Sequence, residues 1–117
     1  MNNIHTTAIV SSKAKIGQNV TIGPYCIINS NVILGNNCNL KANVYIDGNT
    51  EIGENCTFYP FSSIGTNPQD LKYKGEKSKL KIGNNNIFRE YVTVNPGTKG
   101  GGLLTKIGND CLFMISS

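Results

Sequence analysis

Counting along this chain in sixes meets an aliphatic or aromatic residue at every step. Ile4, Val10, Ile16, Ile22, Ile28, Leu34, Leu40, Ile46, Ile52, Phe58 and Ile64 follow one another six apart without a miss. If about a quarter of positions carried Ile, Leu, Val or Phe, such a run in one phase would arise by chance on the order of once in a million. Two positions before each from Val10 onward stands a small or β-branched residue: Ala8, Ala14, Val20, Cys26, Val32, Cys38, Val44, Thr50, Cys56 and Ser62. Immediately after several stands glycine, at Gly17, Gly23, Gly35, Gly53 and Gly65, with Asn29, Lys41 or Asp47 in the same slot elsewhere.

Alternation within a strand puts the small residue and the aliphatic one on the same side, facing inward. Gly and Asn tolerate positive φ, so the slot after the aliphatic residue is expected to end each unit in a turn. Three units close one triangular coil, and residues eighteen apart then stack about 4.8 Å above one another. Ile16, Leu34 and Ile52 form one expected interior column; Ile4, Ile22, Leu40 and Phe58 form another. The fold predicted is an all-β parallel β-helix of about six coils in one domain covering 1–117. An antiparallel meander or sandwich is the competing fold, but its turns come every eight to twelve residues or so and it rarely holds one phase this long. Composition agrees: no Trp, 13 Gly, 15% charged residues and many Asn make a poor helical bundle. A mean hydropathy near zero is too apolar for a disordered tail.

The repeat breaks twice. Continued in phase through residues 66–81, it would turn Asp70 and Glu76 into the core, where an unpaired charge is costly. That stretch is therefore expected to be an excursion, after which Ile82, Phe88 and Val94 resume the pattern. A second excursion is expected over about 97–104, including Gly100, Gly101 and Gly102, and after it the phase slips by one. Ile107 and Phe113 then take the aliphatic slot, Thr105 and Cys111 the small one. Loops that leave a regular solenoid are where function concentrates, since the coils supply a rigid wall. The glycine triplet lacks the strand–loop–helix order of a phosphate cradle.

A net charge of +4, with lysines gathered in one region, argues against nucleic acid as a partner. There is no basic segment followed by an apolar one at the N-terminus and no run of 18 apolar residues, so a cytoplasmic protein without an integral membrane segment is expected. Cys26, Cys38, Cys56 and Cys111 lack a CxxC pair or a nearby His and are read as small buried side chains, with no metal site.

Three segments carry something more specific: FSSIGTNPQDLKYKGE at 61–76, IGNNNIFRE at 82–90 and VTVNPGT at 92–98. Together they resemble the bacterial UDP-N-acetylglucosamine O-acyltransferases of the hexapeptide-repeat family, and the resemblance extends over nearly the whole chain. It implies a left-handed coil and transfer of a 3-hydroxyacyl chain from acyl carrier protein to the 3-hydroxyl of UDP-N-acetylglucosamine, an early step of lipid A synthesis. It also implies a homotrimer with the active site between subunits, and no metal or dissociable cofactor. By the same resemblance Gln69, Asp70 and Lys72 line the sugar-nucleotide site, chemistry that suits an Asp accepting from sugar hydroxyls and a Lys pairing with diphosphate. Lys72, Lys74, Lys77, Lys79 and Lys81 crowd the first excursion and would give a positive field suited to an acidic carrier.

Two departures stand out. Asn95-Pro96 occupies the place of a His-Arg pair found in many members, and the catalytic His of the family is expected just after Ser117. No catalytic residue is therefore assigned within the chain, which is expected to be the N-terminal part of such an enzyme, without its later coils and helical C-terminal domain. His5, the single histidine, is expected to be an exposed bystander, and one His is too few for the zinc-dependent carbonic anhydrases built on the same coil. The alternatives are a catalytically inactive trimeric scaffold and a different hexapeptide-repeat transferase.

Overall fold

Each six-residue unit spends two to four residues as extended strand and the rest turning a corner. The computed structural model describes residues 2–65, 79–94 and 104–114. Strands β1 (Asn3–Ile4), β2 (Ile9–Val10) and β3 (Lys15–Ile16) make the first coil. The second contains β4 (Thr21–Ile22), β5 (Ile27–Ile28) and β6 (Val32–Leu34). The third contains β7 (Asn39–Leu40), β8 (Tyr45–Ile46) and β9 (Asn49–Ile52). In the fourth come β10 (Thr57–Phe58), β11 (Ser63–Ile64) and β12 (Lys79–Ile82), and in the fifth β13 (Ile87–Phe88), β14 (Thr93–Val94) and β15 (Leu104–Ile107). β16 (Leu112–Phe113) begins a sixth.

Every third strand pairs in parallel, giving three walls. β1-β4-β7-β10-β13-β16 form the first, β2-β5-β8-β11-β14 the second and β3-β6-β9-β12-β15 the third. The expected columns are present, with Ile16 over Leu34, Leu34 over Ile52, and both continued by Ile82 and Ile107. On the first wall Ile4, Ile22, Leu40 and Phe58 are continued by Phe88 and Phe113. From Ile22 through Phe88 these inward residues are essentially inaccessible. In-register pairing sets ring above ring: Phe58 and Phe88 stack with centroids 4.8 Å apart, Phe88 and Phe113 at 4.7 Å. Those distances equal the strand spacing, so the backbone ladder imposes the ring geometry.

Turns follow a rule that differs from the expected one. Of the glycines after the aliphatic slot, Gly65 alone has positive φ, at 77°; the left-handed residue generally sits two positions further on. At the corner leading into the first wall it is Asn19, Asn37, Asn55, Asn85 or Asp110, residues that tolerate this conformation. At the corner between the first and second walls it is Tyr25, Asn43, Phe61 or Tyr91. The glycines serve close approach instead: a Cβ on Gly35 would come within 2.6 Å of the Gly53 backbone in the next coil. Bulky residues at positive φ are strained; Phe61 and Tyr91 recover part of this by stacking with centroids 5.4 Å apart.

Asparagine also closes hydrogen bonds the ladder leaves open. The Asn36 side chain accepts from the Gln18 N–H at 2.9 Å, and Asn84 from the Glu54 N–H at 2.7 Å. Asn86 occupies the small slot and is wholly buried; its amide donates to the Gly108 carbonyl and accepts from the Cys111 N–H, both at 2.8 Å. Removing it would leave the Gly108 carbonyl and the partly buried Cys111 N–H without this partner and open a hole in the small-residue column. Asn86→Ala is expected to cost about 1–3 kcal/mol in urea denaturation. At the left-handed position Asn37→Gly should change stability by a few tenths at most, whereas Asn37→Val should cost about 1–2 kcal/mol.

Candidate functional site: the loop-bearing corner

Register locates both breaks at one corner. An uninterrupted coil pairs residues eighteen apart, yet Ile82 pairs with Ile52, thirty positions back, so the first loop adds twelve residues. Ile107 pairs with Ile82 across twenty-five positions, so the second adds seven. Twelve is two whole units and preserves the phase; seven is one unit and one residue, which is the slip seen in the sequence. Each loop leaves the second wall, after β11 or β14, and returns to the third, at β12 or β15. Their points of departure and return therefore lie one above the other in successive coils.

Their feet are joined by the ladder. The Gly65 N–H donates to the Val94 carbonyl at 2.7 Å, and Lys79 pairs with Leu104 in register. Strand β12 already begins at Lys79 and Leu80 is buried, so the last three residues of the 66–81 excursion belong to the coil. Leu104, placed in the second excursion from sequence, likewise opens β15. In β12 the alternation of exposed Lys with buried Leu and Ile reads as strand once the partner strand is known, and β15 follows by pairing with it in register. Gln69, Asp70 and Lys72 lie outside the described residues, as do Asn95, Pro96 and the glycine triplet. Lys79 and Lys81 stand on the outer face of the third wall, each 3.9 Å from a carboxylate oxygen of Glu51.

One coil below the first loop is a polar group that periodicity did not single out. The Asn29 amide donates to Asp47 Oδ1 at 2.9 Å and to the Tyr45 hydroxyl at 3.2 Å, and that hydroxyl donates to Asp47 Oδ2 at 3.3 Å. The Thr50 hydroxyl donates to the Asp47 carbonyl at 2.6 Å and fixes the corner. A carboxylate held this way is preorganised to accept from hydroxyls. The signal was available in the eighteen-residue spacing of Asn29 and Asp47. His5 is elsewhere: it is exposed on the first coil, at the corner between the first and second walls, with Nδ1 2.8 Å from the Thr7 hydroxyl. The feet of the two loops lie three and four coils on, roughly 14 and 19 Å along the axis at about 4.8 Å per coil. No cluster of three or more His, Cys, Asp or Glu able to hold a metal occurs among the described residues, and no helix there is long and apolar enough to cross a membrane.

Three parallel walls, inward hexad columns and paired loops at one corner define a hexapeptide-repeat β-helix. Residues 13–48 match the family described as bacterial transferase hexapeptide (six repeats). Along nearly its whole length the chain is similar to the acyl-[acyl-carrier-protein]--UDP-N-acetylglucosamine O-acyltransferases. It is 58% identical to that of Rickettsia typhi over 114 residues, which cover 97% of this chain and 43% of the relative. Among solved structures it superposes on the UDP-N-acetylglucosamine O-acyltransferase of Moraxella catarrhalis with TM-score 0.92 and 46% identity, covering 96% of this chain and 44% of the other. The enzyme of Bacteroides fragilis gives 0.91 and 44% identity over 96% and 44%. Agreement of this order preserves the hand of the coil, which is left-handed as the resemblance implied. The chain thus spans somewhat under half the length of the relatives it matches.

The four cysteines are free thiols. Cys38 and Cys56 stack in adjacent coils and donate to the carbonyls of Gly53 and Gly83 at 3.2 and 3.3 Å. Contact with Cys56 and burial push the Cys38 thiol up, and burial pushes Cys26 up. Contact with Cys38 pulls Cys56 down against its burial, but with none of its surface exposed, access and not ionisation limits its chemistry. Cys111 alone is partly exposed. Native alkylation with iodoacetamide should therefore label Cys111 first, with Cys26, Cys38 and Cys56 reacting only on unfolding; mass spectrometry of the labelled peptides reads the order.

Proposed function

We propose that this chain provides the sugar-nucleotide wall of an acyltransferase that moves a 3-hydroxyacyl group from acyl carrier protein to the 3-hydroxyl of UDP-N-acetylglucosamine, within lipid A synthesis in the cytoplasm. What carries the reading is identity of 58% across 97% of the chain, a span that includes the PQDLKY loop. In this reading Gln69 and Asp70 hold the sugar hydroxyls and Lys72 meets the diphosphate. Asn29, Tyr45 and Asp47 stiffen the corner beneath them. The uncharged outward central columns of the first and second walls suit a homotrimer, in which the cleft between neighbouring prisms would be the active site.

The reaction needs a base for the sugar hydroxyl and a donor for the thioester oxyanion. The proton leaves the 3-hydroxyl, its oxygen bonds to the acyl carbon, and the carrier thiolate departs and is protonated. His5 is too far from the loops to take that proton. The 117 residues alone should give no transfer above background when mixed with 3-hydroxyacyl carrier protein and UDP-N-acetylglucosamine. Product formation would mean that the base has been placed wrongly.

Binding tests the loop directly. Calorimetric titration of the chain with UDP-N-acetylglucosamine is expected to show weak saturable binding. Lys72→Ala should weaken it about 10- to 100-fold, the worth of a charge-assisted hydrogen bond. Equal affinity of parent and variant would remove Lys72 from the site, and no binding by the parent would leave the scaffold reading.

A further inference from the structure

Charge is distributed unevenly over the three walls. The outward central column of the first wall reads Asn3, Thr21, Asn39, Thr57, Ile87 and Leu112, and that of the second Ile9, Ile27, Tyr45, Ser63 and Thr93. All are uncharged. The third wall reads Lys15, Ile33, Glu51, Lys81 and Lys106. Beside this column Lys79 stands over Asn49, and Lys13 lines the same groove as Lys15 and Lys79. Among the described residues, five lysines face one carboxylate on this wall.

Nothing in the core calls for this charge. Leu80 and Ile82 do the packing in β12, and the other walls carry Asn, Thr, Ser, Tyr or aliphatic residues at equivalent outward positions. Lys81 stands directly opposite Lys106, a like-charge pair that opposes strand pairing. Relief comes from Glu51, 3.9 Å from Lys79 and from Lys81, but all three side chains are exposed and such contacts hold weakly in water. A positive strip that works against the coil's own pairing fits recognition of something negative outside the chain.

Its dimensions narrow the choice. From Lys15 to Lys106 the strip crosses four coil steps, roughly 19 Å at about 4.8 Å each, the length of a helix of roughly thirteen residues. That is too long for one phosphate. A groove of about 370 Å³ runs beside it, with Ile33 39% exposed in its lining. An apolar contact flanked by lysines suits an amphipathic acidic helix; a nucleic-acid strand would find, among the described residues of the outward column, no aromatic ring on which to stack a base. The strip also borders the loop corner, since Lys79 and Leu104 are the feet of the two loops.

We propose that the outer face of the third wall is a docking surface for an acidic helical protein surface. Resting on the proposed function, this partner is acyl carrier protein. Carboxylates along one of its helices pair with Lys15, Lys79, Lys81 and Lys106, an apolar residue covers Ile33, and the tethered acyl chain is delivered past the adjacent loop corner.

The test titrates the chain with 3-hydroxyacyl carrier protein at low and at physiological salt. Affinity should fall with salt, and the double variant Lys15→Glu/Lys106→Glu should bind about tenfold more weakly with unchanged thermal unfolding. Glu51→Gln frees two lysines and should bind tighter by about two- to fivefold, a gain that misfolding cannot produce. Should the double variant fold poorly, Glu51→Gln decides. If both variants bind as the parent does, while Lys72→Ala/Lys74→Ala weakens binding, the carrier docks on the loop; the wall is then excluded and the proposed function stands. If the parent binds no carrier at all, both fall. Equal displacement of the carrier by single-stranded RNA would mark an unselective charge surface and overturn the inference.

Discussion

The ladder between coils is the interaction on which the rest depends. Each strand is two to four residues long, too short to persist alone. It survives because its N–H groups donate to the coil above and its carbonyls accept from the coil below, as Gly17 does to Leu34 and Gly35 to Ile52 at 2.9 and 2.8 Å. Parallel pairing at fixed register then forces equivalent residues into one column. Each interior column is committed to one range of sizes, which is why Phe58, Phe88 and Phe113 follow one another where Ile22 and Leu40 began. Three rings in succession stack face to face and fill that column without a void.

Corners answer to a different demand. The chain must turn without a helix and within a few residues, and the left-handed conformation at one position per corner achieves this. Asparagine fills that position on one edge, and its neighbours Asn36, Asn84 and Asn109 cap N–H groups that the strands leave over. On the next edge Tyr25, Phe61 and Tyr91 occupy the same conformation at greater strain and are exposed, with Asn43 between Tyr25 and Phe61. The third edge releases the loops. Because one insertion is a whole number of units and the other is not, the solenoid absorbs both while every inward column stays filled.

Function on such a frame is a matter of which wall carries what. The inner surface is spent on packing, so chemistry is confined to the outer faces and to the loops. Here the loops share one corner, the polar group of Asn29, Tyr45 and Asp47 braces it from the second wall, and the lysines flank it on the third. A sugar nucleotide held by the loop and a carrier held by the lysines would approach the corner from different sides. Two large substrates can then meet without competing for one cleft.

The hexad run from Ile4 to Ile64 determined the coil, its columns and the number of its walls, because a period of six with one inward phase has no other compact solution. The acidic residues Asp70 and Glu76 marked where the coil must open, since burying them would cost more than a loop does. The resemblance of 61–98 then supplied Gln69, Asp70 and Lys72. Three things required the tertiary structure. Lys79 to Lys81 resembled loop in isolation and became strand only against Asn49 to Glu51. The glycine after each aliphatic residue suggested a turn, whereas its role is contact between coils, which no single coil reveals. The lysines from Lys13 to Lys106 are scattered over more than ninety positions of sequence. Only the stacking of coils brings them onto one face, because register, and not sequence distance, decides which charges are neighbours.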